Sequence, residues 1–264
     1  MLIGITQIIL RQSTLDETLD LCQEAGYQCV ELVFQPGKDL DPAMSNAELR
    51  GVGERCAVAG VEVTSLITTL SERGNLLSSD PVERDQCLAC LTRSLEIAGV
   101  MGVGATLLHP GQLTVAGTYE QAWELVVGAL RDMAPLATRH RCVIALENVW
   151  NKFLLSPREA RSMVEEVGSE WIGWYLDTAN MMAYGYPEHW IRSLGPAIKR
   201  VHFKDFKRRE HAFVPLMDGD TDWPVVMREL RGAGYTGPVV HEVGGDRALQ
   251  MEMAQRMRRI LSAI

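Results

Sequence analysis

Four short apolar runs each carry or end in a side chain able to bind a metal or move a proton, and this recurrence restricts the chain more than any other feature. Val143–Leu146 leads into Glu147, Trp174–Leu176 into Asp177, and Val239–His241 into Glu242, while Ile198, Val201 and Phe203 surround His202. The gaps between these residues are 30 (177 minus 147), 25 (202 minus 177) and 40 (242 minus 202). A strand, its crossover helix and the return to the next parallel strand take roughly 30 residues. Four successive parallel strands can therefore bring these side chains to one rim.

The same rhythm runs through the whole chain. Leu2–Ile5, Cys29–Val33, Val61–Ile67 and Ala105–Leu108 read as the first four strands. Helix starts are marked by capping boxes at Thr14/Glu17, Ser45/Glu48 and Ser156/Glu159, and by Pro81 and Pro157 in first helical turns, with a short helix around Pro187–Leu194. Further helices are expected over Tyr119–Arg139, Trp223–Ala233 and Arg247–Ile264, and loops over Thr68–Asp80 and the basic stretch after His202. Eight strands, each followed by a helix and with no composition break between them, predict one α/β domain over residues 1–264, a single (β/α)8 TIM barrel. The length of 264 residues suits that fold. Strands without polar alternation fit a sheet buried on both faces.

Composition narrows the function classes. The net charge of −8 argues against a general nucleic-acid surface, so no nucleic-acid partner is expected. Six cysteines lie singly except for Cys87 and Cys90, whose C-x-x-C has no second pair to complete a structural zinc site. Free thiols suit a reducing cytosol. No leader-like start or run of roughly 20 apolar residues is present, so a cytoplasmic protein with no membrane partner is expected. The oligomeric state is left open, a homo-oligomer included.

Taken singly, an Asp or Glu after a strand is an ordinary helix cap or ion-pair partner, and a lone His is an ordinary structural residue. Together they are different. Three carboxylates in a partly buried cleft repel one another unless a cation neutralises them. One divalent metal ion is therefore expected on Glu147, Asp177, His202 and Glu242. Three oxygens and one imidazole suit Mn²⁺ first, or Mg²⁺, with Zn²⁺ and Co²⁺ also compatible.

The motifs A-L-E147-N, Y-L-D177-T-A-N180, V-H202-F-K204-D205 and V-H241-E242-V resemble the sugar isomerase/epimerase branch of the xylose-isomerase-like barrels. The M-D-G-D-T-D-W stretch from Met217 and G-Y-T-G-P from Gly234 look most like the ketose and ketose-phosphate 3-epimerases, L-xylulose-5-phosphate 3-epimerase among them. The family's metal ligands fall on the same four residues. Free-ketose epimerases of the tagatose type have a histidine where this chain has Asn180, as the xylulose-phosphate epimerases do. Endonuclease IV, in the same superfamily, needs further histidines for three zincs. His109-Pro-Gly resembles its pattern, but nothing near Ser65 supplies a partner, which counts against DNA repair.

The resemblance implies a sugar or sugar-phosphate substrate and Glu147 and Glu242 as paired acid and base. These carboxylates follow non-adjacent strands and can flank a substrate. Asn180, Lys204, Asp205, Arg208, His109 and Glu31 are candidate substrate-binding residues, with Trp150 and Phe153 as pocket walls. The cations Lys204, Lys207, Arg208 and Arg209 point to an anionic group on the sugar, although a solvated loop would carry the same charges. An inosose dehydratase-like lyase acting on a cyclic polyol is the alternative reading, and a non-catalytic sugar-binding module would have no use for two facing carboxylates.

Overall fold

The computed structural model describes residues 1–10, 12–68 and 74–262. Part of the expected loop after the third strand (69–73) and the last two residues of the expected tail helix lie outside them. The barrel strands are β1 (Ile3–Thr6), β2 (Cys29–Phe34), β3 (Glu62–Thr68), β4 (Ala105–Leu108), β5 (Val143–Glu147), β6 (Ile172–Asp177), β7 (Ile198–Phe203) and β10 (Val239–His241). They are parallel, neighbour one another in chain order and close through the pairing of β1 with β10. The helices between and after them are α1 (Leu15–Ala25), α2 (Asn46–Val58), α3 (Pro81–Met101), α4 (Tyr119–His140), α5 (Pro157–Val167), α6 (Pro187–Leu194), α7 (Trp223–Gly232) and α8 (Arg247–Ser262). This is a (β/α)8 barrel.

Local chemistry sets the element boundaries. The capping boxes at Thr14, Ser45 and Ser156 form with both hydrogen bonds present, and a fourth forms at Thr118 with Gln121. Gly26, Gly102 and Gly168 end α1, α3 and α5 in left-handed geometry, where a side chain would be strained. Between helices and sheet lies a continuous apolar core that includes Leu32, Leu66, Ile144, Trp174, Trp190 and Val201. All six cysteines are free thiols. Among the described residues no helix is long and apolar enough to cross a membrane.

The basic stretch after β7 is not an open loop. Asp205–Lys207 (β8) and Ala212–Val214 (β9) pair antiparallel as a hairpin, with Phe206 opposite Phe213 and His211 at positive φ in the turn. Asp205 anchors its base. The fully buried carboxylate accepts hydrogen bonds from the Thr221 hydroxyl (2.6 Å), the Met217 and Gly219 amides (2.8 and 3.2 Å) and the Trp223 indole (3.2 Å). Gly219 is required there, because a Cβ would lie 2.1 Å from Asp205 Oδ1. Asp205 therefore binds the chain itself rather than substrate.

Losing a shared acceptor strands several buried donors, each costing about 1–3 kcal/mol. Asp205→Ala is expected to lower the unfolding free energy by about 3 kcal/mol or more. A reduced urea midpoint at unchanged slope would register this. A loss below about 1 kcal/mol would show that the carboxylate does not hold the hairpin.

Candidate metal centre and sugar pocket

Glu147, Asp177, His202 and Glu242 meet at the carboxyl end of the barrel, each offering a ligand atom within 4.8 Å of the others. Register explains part of this convergence. Asp177 on β6 lies beside His202 on β7, and Glu147 at the end of β5 lies beside Tyr175. His202 Nδ1 is 3.2 Å from Glu147 Oε1 and 3.7 Å from Glu242 Oε2. Lys204 Nζ lies 3.2 Å from that same Glu242 oxygen and 4.0 Å from Asp177 Oδ2.

The backbone around the cluster is pinned from both sides. Asn148 accepts from the Asp177 amide and the Trp174 indole (both 3.1 Å) and donates to the Asp177 carbonyl (3.0 Å). The Thr178 hydroxyl donates to the Lys204 carbonyl (2.7 Å) and accepts from the Lys204 amide (3.0 Å). Asp177 Oδ1 accepts from the Ala179 and Asn180 amides at 2.8 and 2.6 Å. Its other oxygen, Oδ2, is buried with no hydrogen-bond partner. A bare carboxylate oxygen beside two further carboxylates and an imidazole nitrogen is the donor set a divalent cation requires.

The electrostatics agree. Burial, with the Glu242 and Asp177 charges adding and His202 opposing, pushes the Glu147 carboxyl up to about 7. Burial, with Glu242 adding and Lys204 and His202 opposing, likewise raises Asp177. Burial works against a charged His202, but the carboxylates of Glu31 and Glu147 outweigh it and raise the imidazole well above its ordinary range. Lys204 is raised in the same way, against burial, by Glu242 and Asp177. Without a metal, protons and one lysine must do a divalent cation's work.

A cavity of about 770 Å³ opens above the cluster. Its inner end holds Glu147, His202, Lys204 and Glu242, with Asn180 and His109 beside them. Its outer wall includes Gln7, Ile8, Gln35, Lys38, Trp150 and Phe213. Asn180 is fixed by donation from its side-chain amide to the Asn148 carbonyl (2.9 Å). His109 Nδ1 accepts from the Gly111 amide at 3.1 Å.

The other sequence candidates are placed differently. Arg208 does not face the cavity: its guanidinium donates to the Met182 and Gly185 carbonyls (2.6 and 2.8 Å) and lies 4.4 Å from the Tyr186 ring centre. Of the basic run, Lys204 alone lines the cavity among the described residues. Glu31 lies beneath the cluster, its carboxylate 3.1 Å from His202 Nε2. Burial would raise its pKa, but His202 and the Thr6 and Tyr175 hydroxyls overcome that and lower it. Phe153 is packed against Tyr119 and Trp123 rather than lining the pocket. Phe213 was not a sequence candidate. It reaches the cavity because the hairpin turns it toward Trp150, ring centres 5.1 Å apart, and under Lys204 Nζ at 4.3 Å. Asn148, Tyr175 and Ser65 were also missed. Asn148 alone carried a signal, as a polar residue directly after a rim carboxylate.

The family model described as Xylose isomerase-like TIM barrel matches residues 19–262. L-ribulose-5-phosphate 3-epimerase UlaE of Escherichia coli (strain SMS-3-5 / SECEC) is 22% identical over 235 residues, covering 88% of this chain and 83% of that protein. The structure of D-psicose 3-epimerase with D-tagatose from Clostridium cellulolyticum H10 aligns with TM-score 0.82 and 20% identity, covering 99% of each chain. The crystal structure of the IolI protein with a binding zinc atom aligns with TM-score 0.84 and 17% identity, over 100% of this chain and 99% of that one. Since the family match spans nearly the whole of this closed eight-stranded barrel, the chain belongs to the xylose isomerase-like TIM barrel family.

Proposed function

We propose that this protein is a divalent-metal-dependent sugar epimerase that inverts C3 of a ketose or ketose phosphate through an enediolate. The observation that carries the reading is the bare Asp177 Oδ2, set among Glu147, His202 and Glu242, which line a cavity of about 770 Å³. Similarity to an L-ribulose-5-phosphate 3-epimerase and to a D-psicose 3-epimerase supports the substrate class. Glu147, Asp177, His202 and Glu242 would hold the cation, Mn²⁺ suiting the donors best, with Mg²⁺, Co²⁺ or Zn²⁺ compatible. Bound there, it supplies polarisation of the ketose carbonyl and neutralisation of the charge that develops when the adjacent C–H is lost.

The residues of the chain divide the rest of the work. One of Glu147 and Glu242 removes the C3 proton from one face of the sugar, and the other returns a proton to the opposite face. Their positions at the end of β5 and just past β10, which are not neighbours in the barrel, permit this two-sided approach. Lys204 and His202 both approach Oε2 of Glu242. Asp177 and His202 hold the cation and take no proton from the sugar. Asn180 and His109, at the cavity wall, bind sugar hydroxyls, and Trp150 and Phe213 cover the carbon skeleton.

Chelation of the metal is expected to abolish turnover and added Mn²⁺ to restore it. His202→Ala should lose Mn²⁺ by elemental analysis while keeping the barrel's circular dichroism, since rim residues of this fold serve function more than stability. Full activity in protein shown by elemental analysis to hold no metal would sink the reading.

Positioned proton transfer contributes about 10²–10⁴-fold, so Glu147→Gln and Glu242→Gln should each lose at least about 100-fold in kcat. In D₂O the wild type should place deuterium at the inverted carbon of a ketose or ketose phosphate, followed by NMR. Inversion without solvent deuterium contradicts the paired-carboxylate scheme. Loss of water from a cyclic polyol would instead favour the dehydratase-like alternative.

A further inference from the structure

Glu31, at the inner face of β2, has no part in the proton transfers above, yet it is fully buried and close to the centre. Its Oε1 accepts from the Thr6 hydroxyl at 2.7 Å and lies 3.1 Å from His202 Nε2. Its Oε2 accepts from the Ser65 hydroxyl at 2.8 Å. Strand register creates this layer, because Thr6 of β1 and Ser65 of β3 are the cross-strand partners of Glu31. Tyr175 completes it, with its hydroxyl 3.2 Å from Ser65 Oγ and its ring centre 4.2 Å from that of His202. A buried carboxylate supplied with this many donors is a built feature of the fold, since an unpaired one would be prohibitively costly.

We infer that Glu31 is the positioning residue that makes Nδ1 of His202 the nitrogen offered to the metal, an inference that rests on the metal-dependent reading above. An ionised carboxylate can only accept, so Nε2 of His202 must carry the hydrogen that faces it. A neutral imidazole has one N–H, which leaves the lone pair on Nδ1. That nitrogen faces Glu147 Oε1 at 3.2 Å and Glu242 Oε2 at 3.7 Å, oxygens that are themselves acceptors. Without a cation a hydrogen on Nδ1 bridges to Glu147, and a divalent cation would take that hydrogen's place.

Without Glu31 the imidazole could take the other tautomer, donate from Nδ1 to Glu147 and withdraw its lone pair from the cluster. The hydroxyls of Thr6 and Ser65 matter for a second reason. They hold both oxygens of Glu31 in its layer, so the carboxylate does not turn and become a fifth ligand. A carboxylate behind a ligating histidine typically changes metal affinity about 10–100-fold.

Two measurements on the full chain test this without any turnover. In protein with ¹⁵N-labelled histidine rings and Zn²⁺ added, long-range ¹H–¹⁵N spectra should show His202 with its hydrogen on Nε2 and a metal-shifted Nδ1. His202→Ala assigns the signal, and a hydrogen on Nδ1 overturns the inference. Binding of Mn²⁺, followed by electron paramagnetic resonance, should weaken about 10–100-fold in Glu31→Ala. Glu31→Gln should fall between, because its amide oxygen can still accept from Nε2–H. Affinity within about twofold of wild type in Glu31→Ala overturns the inference. If Glu31→Ala does not fold, unchanged affinity in both Glu31→Gln and Ser65→Ala overturns it. Wild-type protein that binds neither ion defeats the metal-dependent reading instead. The ring spectrum then still decides about Glu31, since an Nε2 without hydrogen rules its role out.

Discussion

One electrostatic constraint governs the carboxyl rim of this barrel. Glu147, Asp177 and Glu242 bring three carboxylates within 4.8 Å of one another and of His202, in a place from which water is largely excluded. Such groups cannot all ionise unless positive charge stands among them. The raised pKa values of Glu147 and Asp177 are the direct expression of that conflict. Lys204 relieves only part of it. Its ammonium is 3.2 Å from Glu242 but 4.0 Å from Asp177 Oδ2, which therefore keeps no hydrogen-bond partner. A monovalent side chain tethered to one side cannot satisfy an inward-facing set of four ligands, whereas a divalent ion can.

The fold supplies what a cluster under such strain needs, a rigid frame. Parallel strands in neighbouring register set Asp177 beside His202, and Asn148 and Thr178 tie the ends of β5, β6 and β7 together. Beneath them the Thr6–Glu31–Ser65 layer runs across β1, β2 and β3 and meets His202 from below. The site is thus held by strands from both halves of the barrel. Loops add much of the cavity wall, and the residues just past the strand ends pin Asp177 through the Ala179 and Asn180 amides.

How much of this is legible in the sequence depends on whether a feature is local. Helix starts at Thr14, Ser45 and Ser156 are written in four consecutive residues, and the structure forms each capping box. The four ligands are legible because each accompanies an apolar run, at gaps that suit successive strands. What stays hidden is where a long side chain goes. Glu31, Asp205 and Arg208 were all plausible partners for a sugar, since Glu31 is a charged residue within an apolar strand and the other two lie just past β7 and β8. Glu31 turns inward to His202, Asp205 folds back on the loop from Met217 to Trp223, and Arg208 is taken by two carbonyls of the segment before α6. None of those partners lies within ten residues in sequence, so no local pattern announces them.

The hairpin shows the same limit in a different form. Lys207, Arg208, Arg209 and Glu210 read as a solvated loop, and β-pairing of so short and charged a stretch has weak local support. It forms because the buried Asp205 ties its base to the following loop, and because Phe206 and Phe213 pack as cross-strand partners. One consequence reaches the chemistry. Phe213 contacts Trp150 in the cavity wall and also lies under the ammonium of Lys204, which in turn faces Glu242. Phe213 of the cavity wall and the cation beside one carboxylate are therefore parts of a single excursion from β7. A change in that hairpin acts on the cavity wall and on the charge beside Glu242 together, which separates it from changes in the rigid strands below.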